Sequence, residues 1–180
     1  MKITKEELIE LNACEEGLNR FIAQTNNTNE PVEVSSLVGG ENTHGDLLWL
    51  AGNKLPTERL VKFTCDCALI NIEKIEPYTD EYELIIEFLS NPTGDGAIVA
   101  ANAADSAAYA VYGVYGDHAD HAVRAARAAA YAANAAAHAD AADDLTAAYV
   151  TAYATAAYAD TYGAAENRDK VDALLQGLFA

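Results

Sequence analysis

The chain has 180 residues, 51% of them apolar, with 28 acidic against 11 basic side chains and a net charge of −17. That length suits one domain or a domain with a lobe, and a real core is available although alanine inflates the apolar fraction. The charge has the wrong sign for gripping phosphates, so it disfavours direct DNA or RNA binding and leaves a basic protein partner or a DNA-mimicking role open.

The first helix is expected to start at Thr4, where Glu7 completes a capping box: hydroxyl to the first-turn amide, carboxylate back to the cap amide. Leu8, Ile9 and Leu11, then Ala13, Cys14, Leu18, Phe21 and Ile22, continue on helical spacing. Gly17 sits inside this pattern, which leaves room for a break near Asn12 or Gly17. Thr25 to Pro31 reads as a polar loop, Val32 to Val38 as one short helix ended by Gly39-Gly40. Asp46 reads as the N-cap of DLLWLAGNK, a short apolar helix stopped by Gly52. Pro56-Thr57-Glu58 opens a helix expected to end before Pro77, and Asp80 is expected to cap another through Leu84, Ile85, Phe88 and Leu89. NPTGDG, Asn91 to Gly96, is the clearest boundary in the chain.

From Gly96 to Ala165 the sequence is mostly alanine punctuated by tyrosine, with no proline. Alanine is the best helix former and the smallest side chain that still packs. The spacing predicts three helices, with turns at Gly113 and Gly116 and at Ala139 to Asp144, and with Asp117 and Asp143 as caps. Ordered tyrosine spacing and well-placed caps favour packed helices over a low-complexity tract, and no fixed period marks a solenoid. Tyr149 and Tyr153 share one face, and Tyr158 and Tyr162 lie about half a turn round, which leaves a homodimer open. A last helix is expected from Asn167 to Leu178. The fold class is therefore all-α: a compact helical bundle with an acidic part over 1–96 and closely packed Ala/Tyr-rich helices over 97–180, forming one continuous bundle. Residues 1–96 carry 18 acids and 7 bases, so a binding face is sought there.

Three cysteines, Cys14, Cys65 and Cys67, give no disulfide framework, and Cys65-Asp66-Cys67 lacks the spacing of a zinc knuckle. Reducing cytosol is the expected setting. MKITKEELIE has no apolar core of a signal peptide, and the alanine tract carries Asp, His, Arg and Asn throughout, so no membrane span is expected.

Few side chains suggest chemistry. Asp117-His118-Ala119-Asp120-His121 resembles a metal patch, but catalytic zinc needs a third protein ligand and none lies near in sequence; a solvated helix start accounts for the same residues, and no metal or cofactor is expected. Cys65 and Cys67 diverge by about 200° on a helix and read as small apolar residues. Asp66, inside an apolar helix, needs a partner such as Arg20, Arg59 or a helix terminus. Glu73, Glu76, Asp80, Glu81, Glu83 and Glu87 form either a solvated face or a patch for a basic surface. Arg124 and Arg127 either pair with Asp117 or Asp120 or hold a nucleotide between alanine helices together with Tyr131. The tyrosines at helical spacing are expected in the core. No phosphate loop, Ser-His-Asp set or paired-carboxylate motif is present, so the chain reads as a non-enzyme.

The order of LIELNACEEGLNRF (Leu8 to Phe21), GDLLWLAGN (Gly45 to Asn53), TCDCALINI (Thr64 to Ile72) and trailing Ala/Tyr helices resembles the all-helical immunity-protein family of bacterial polymorphic toxin systems, the fifth numbered immunity family, with relatives in phage and prophage genomes. Ala13, Cys14, Gly17 and Phe21 carry the first motif, Gly45, Asp46, Leu48, Trp49 and Leu50 the second, and Asp66, Cys67 and Ala68 the third; Leu47 stands where the family has tryptophan. The resemblance implies a cytoplasmic antagonist that blocks a toxin, nuclease or defence effector. Asp46, Trp49, Asp66, Glu76, Asp80, Glu83 and Glu87 are then the candidate partner-binding residues. The alternatives are a nucleotide-sequestering sponge using Arg124, Arg127 and Tyr131, or an acidic DNA-mimic inhibitor.

Overall fold

Thr4 and Glu7 form the reciprocal capping box read from the sequence: Glu7 N–H donates to the Thr4 hydroxyl, and Thr4 N–H donates to the Glu7 carboxylate at 2.9 Å. The computed structural model describes the backbone of residues 1–115, 120–139 and 165–180 and most of their side chains. Among these residues the chain is almost wholly helical. The helices are α1 (Lys5–Glu10), α2 (Glu15–Gln24), α3 (His44–Lys54), α4 (Thr57–Leu69), α5 (Tyr82–Ser90), α6 (Gly94–Tyr115), α7 (Asp120–Ala139) and α8 (Ala165–Leu178). Two 3-10 segments, Val34–Leu37 and Ile72–Tyr78, complete the helical content.

Several boundaries differ from the sequence reading for local reasons. The break between α1 and α2 falls at 11–14, where Asn12 takes a left-handed φ of 60°; asparagine tolerates that conformation, so no glycine is needed. Val32 to Val38 is not one helix. Val32–Glu33 is a short strand, β2, antiparallel to β1 (Lys2–Ile3) in the register Lys2↔Glu33 and Ile3↔Val32, and a 3-10 turn follows. Thr43, not Asp46, caps α3, and Asp46 is the third residue of a second capping box. That helix runs through Gly52 to Lys54. Asp80 does not cap α5, whose first turn has Glu81 at the cap position with no side-chain hydrogen bond. Pro77 lies inside the second 3-10 segment rather than beyond a long helix, and Gly113 lies inside α6. The proposed third alanine helix, the caps Asp117 and Asp143, and Tyr149, Tyr153, Tyr158 and Tyr162 lie outside the described residues.

Two large apolar clusters meet on α4, and a third, small one joins Val111 to Ala122 and Val123. Leu60, Phe63 and Cys67 join Ile3, Leu8, Phe21, Leu48 and the α8 residues Val171 and Leu175 on one side. Val61, Cys65 and Ala68 join the alanine faces of α6 and α7 and the apolar face of α5 on the other. Steps of three and four residues place each trio on its own side of α4. Both flanking cysteines are therefore fully buried, one in each cluster. Helix α8 packs with the N-terminal segments, and the Met1 amino group donates to the Phe179 carbonyl at 2.6 Å.

Helices α6 and α7 make the most extensive helix–helix contact among the described elements. Ala97, Ala100, Ala104 and Ala107 pack in one cluster with Ala125, Ala126, Ala129, Ala132, Ala133 and Ala136, and Val111 packs with Ala122 and Val123, all buried. Side chains this short permit interaxial distances toward the low end of about 8–10 Å. The two tyrosines of this pair whose side chains are described are not core residues: Tyr109 is 79% exposed and Tyr131 40% exposed.

A seam built from methyl groups has no room for more volume. Ala104→Leu should lower stability by about 1–3 kcal/mol through overpacking, whereas Ala110→Leu on the exposed face of α6 should change it by less than about 0.5 kcal/mol; urea denaturation followed by circular dichroism reads both.

Candidate functional site

The first two recognised segments converge in space. The turn between α1 and α2 lies against the start of α3, and between them opens a cleft of about 320 Å³. Leu8, Phe21, Leu37, Leu47 and Leu50 give it an apolar floor, Trp49, Ala13 and Cys14 line it, and Asn12, Asn42, Thr43 and Asp46 supply the polar lining. Trp49 is half-buried and Cys14 is exposed.

An ion pair braces the cleft. Arg20 on α2 donates Nε to Asp46 Oδ2 and Nη2 to Asp46 Oδ1, both at 2.7 Å. This is the bidentate geometry in which guanidinium and carboxylate match best. The same carboxylate accepts from Thr43 N–H at 2.8 Å and from the Thr43 hydroxyl at 2.9 Å. Burial raises the cost of the charge, but the hydrogen bonds from Arg20 and Thr43 outweigh it and hold the Asp46 carboxyl below the usual range. Gly17 makes this approach possible, since a Cβ there would sit 2.9 Å from Asp46 Oδ1 and 3.3 Å from Cys14 Sγ. Asp46 is thus a structural anchor whose oxygens are already engaged. The sequence marks Asp46 by its place at a helix start and by the family resemblance, whereas Arg20, 26 residues away, reads there only as one of three possible partners of Asp66.

A polar clasp closes the inner side. Gln24 Oε1 accepts from Asn42 N–H at 3.1 Å and Asn42 Nδ2 at 2.9 Å, and its amide donates to the Leu37 carbonyl at 3.2 Å. Further out, His44 Nε2 meets Asp172 Oδ1 at 2.7 Å and ties α3 to α8. Lys54 meets Glu7 at 3.4 Å and ties the end of α3 to the first capping box.

The third segment lies elsewhere. Asp66 pairs with Lys62 one turn before it on α4, while Arg20 takes Asp46 and Arg59 donates to the Gly177 carbonyl at 3.2 Å. Neither arginine partners Asp66, because an i−4 lysine is nearer than either. Burial pushes the Cys65 thiol up to about 12, with the adjacent Asp66 charge adding to it, and burial likewise raises Cys67. Neither is a nucleophile near neutral pH.

The acidic cluster is exposed throughout: Glu73, Glu76, Asp80, Glu81, Glu83 and Glu87 lie on the second 3-10 segment, α5 and the turn between them. None forms an ion pair among the described residues. Burial, then the charges of Glu76, Glu73 and Glu83, raise the Tyr82 phenol above its ordinary value. Glu87 lines a separate, shallower groove with Leu84, Phe88 and Val99. The candidate partner-binding residues therefore fall in three places: Asp46 and Trp49 at the cleft, Asp66 on α4, and Glu76, Asp80, Glu83 and Glu87 on the acidic surface.

Arg124, Arg127 and Tyr131 share a face of α7, at steps of three and four residues. Arg127 and Tyr131 are exposed and Arg124 is half-buried, and none of them lines the cleft or the groove. His118 and Asp117 lie outside the described residues, as do the side chains of Asp120 and His121. Among the described residues no group of three His, Cys, Asp or Glu side chains could hold a metal ion. Nor is any described helix long and apolar enough to cross a membrane. Comparison with known proteins yields no match to any family model, curated protein or solved structure.

Two outcomes follow from this geometry. The folded-state value of Asp46 lies below its unfolded one, so its contribution is complete above the ordinary carboxylate range and is lost as pH falls through the folded value. Asp46→Asn should cost about 1 kcal/mol at pH 7, as for a lost cap on a partly solvated carboxylate, and should flatten the loss of stability between about pH 5 and pH 3, read by urea midpoints across pH. Iodoacetamide at pH 7.5 should modify Cys14 alone in the native chain and reach Cys65 and Cys67 only in denaturant, as counted by intact-mass spectrometry.

Proposed function

We propose that this chain is a non-enzymatic cytoplasmic antagonist, of the immunity or counter-defence kind, that binds and blocks a basic protein such as a toxin, a nuclease or a defence effector. The observation that carries the reading is the acidic surface on the second 3-10 segment and α5: six exposed carboxylates against the single cation Lys74, none of the six in an ion pair among the described residues. Like charges held together without internal pairing cost self-repulsion, and a positively charged partner relieves it while gaining a faster encounter. The resemblance of the Leu8–Phe21 and Gly45–Asn53 segments to immunity proteins supports the same class of role, and their convergence on one braced cleft is the arrangement a recognition surface needs.

Binding, rather than catalysis, is also what the side chains support. The carboxylate at the cleft is consumed by Arg20 and Thr43, and the two buried thiols are held protonated. The same surface serves an acidic inhibitor that mimics DNA, since a nucleic-acid-binding effector is itself basic. A nucleotide-sequestering role through Arg124, Arg127 and Tyr131 needs an enclosed site, and two of these three side chains are exposed to solvent.

The test is kinetic. With a partner isolated on the wild-type chain, the variant carrying Glu76→Gln, Asp80→Asn, Glu83→Gln and Glu87→Gln should associate about 10- to 100-fold more slowly at low ionic strength. Its association rate should also depend less on salt than that of the wild type. An unchanged rate and an unchanged salt dependence, measured by stopped flow at two ionic strengths, would remove the acidic face from the mechanism.

A further inference from the structure

We infer that the cleft beside Trp49 is an anchor pocket that receives one bulky apolar side chain of a protein partner, from a segment in which that residue is flanked by lysine or arginine. This rests on the antagonist reading and adds to it a second contact, chemically different from the acidic surface.

Size comes first. A volume of about 320 Å³ stands at the small end of the range of ligand sites, about 300–1,000 Å³. It is too small for a helix but ample for one large side chain, the form in which most interface energy is concentrated.

The polar chemistry decides against a polar metabolite. Such ligands are oriented by convergent donors and acceptors, and here three of the four polar lining side chains are spent, which leaves the exposed Asn12 amide alone. Asp46 takes hydrogen bonds from Arg20 and Thr43, Thr43 is engaged in the cap, and Asn42 is held by Gln24. No buried side-chain nitrogen or oxygen among the described residues lacks a partner. What remains is an apolar floor and the half-buried face of Trp49.

Charge then selects the flanks. Glu15 and Glu16 directly follow the lining residue Cys14, and Glu41 directly precedes the lining residue Asn42; all three are exposed and none forms an ion pair among the described residues. Arg20 is committed to Asp46, with Glu16 also within reach of its charge, and Lys54 to Glu7. The segments that line the cleft therefore carry an excess of negative charge beside an apolar hole, and its complement is an apolar side chain set between basic ones. Such a pocket is already formed, because the Arg20–Asp46 brace and the Gln24 clasp hold its walls, so little ordering entropy opposes binding.

Two built-in reporters make the test direct. Trp49 is the single tryptophan of the chain, so its emission reports on the cleft alone, and Cys14 is the exposed thiol at the same site. The full chain is titrated with three pentapeptides: a central phenylalanine flanked by two lysines on each side, the same with central alanine, and the same with glutamate flanks. The expected result is a saturable change in Trp49 emission and protection of Cys14 from iodoacetamide with the lysine–phenylalanine peptide. The other two should bind at least about tenfold more weakly. Cys14→Phe, which places a ring at the mouth, should abolish the response; if that variant does not fold, wild-type chain alkylated at Cys14 takes its place. The four-fold neutralised variant of the acidic surface should respond like the wild type.

No emission change with any peptide would overturn the inference. So would equal binding of the glutamate-flanked peptide, or a response lost in the neutralised variant yet kept when Cys14 is blocked. That last pattern would leave the acidic-face antagonist standing without the pocket. A retained peptide response in a chain that captures no basic partner would do the reverse.

Discussion

The bidentate contact between Arg20 and Asp46 is the constraint on which the cleft of this molecule depends. It joins two helices whose residues are 26 positions apart and fixes the angle at which the α1–α2 turn meets α3. Gly17 is small so that the carboxylate can come close, and Thr43 turns the same carboxylate into a helix cap. One side chain thereby satisfies a cation, two donors of the cap and the packing of a neighbouring helix. Truncating either partner leaves a charge with fewer contacts in a partly screened setting, which costs more than the pair gains over neutral residues.

Helix α4 does for the core what this pair does for the cleft. Its two apolar faces serve two clusters that differ in kind: one of leucine, isoleucine and phenylalanine, the other dominated by alanine. The first buries large side chains under the cleft and holds its floor. The second buries many small ones, gaining closeness of backbone in place of area per residue. The division places bulky core beneath the cleft, and a dense helical seam beside the acidic edge. Negative charge is kept at the outside of both, where water can reach it.

Local features were legible in the sequence and long-range ones were not. Thr4 and Glu7 sit three residues apart, so their capping box can be read directly. The divergence of Cys65 and Cys67 follows from helical geometry, and their burial in separate clusters is its consequence. The exposed acidic run was visible as charge without apolar periodicity. By contrast, Thr43 was passed over because Asp46 is the more conspicuous cap, although the true box needs both. The pairing of β1 with β2 involves two residues on each strand, too few for an alternating pattern. Arg20 and Asp46 carry no mark of each other, since the contact is made by the fold. Gly113 reads as a turn residue, but α6 runs through it to Tyr115, since one glycine inside a long helix costs only about 1 kcal/mol relative to alanine.

The most direct test of the central idea, a braced recognition cleft beside an unneutralised acidic face, is affinity purification of the chain from bacterial lysate, with protein and small-molecule eluates both identified by mass spectrometry. The account predicts a stoichiometric basic protein, released by salt and captured in smaller amount when the acidic face is neutralised. A nucleotide eluting without any protein would contradict it and would place the activity on the alanine helices instead.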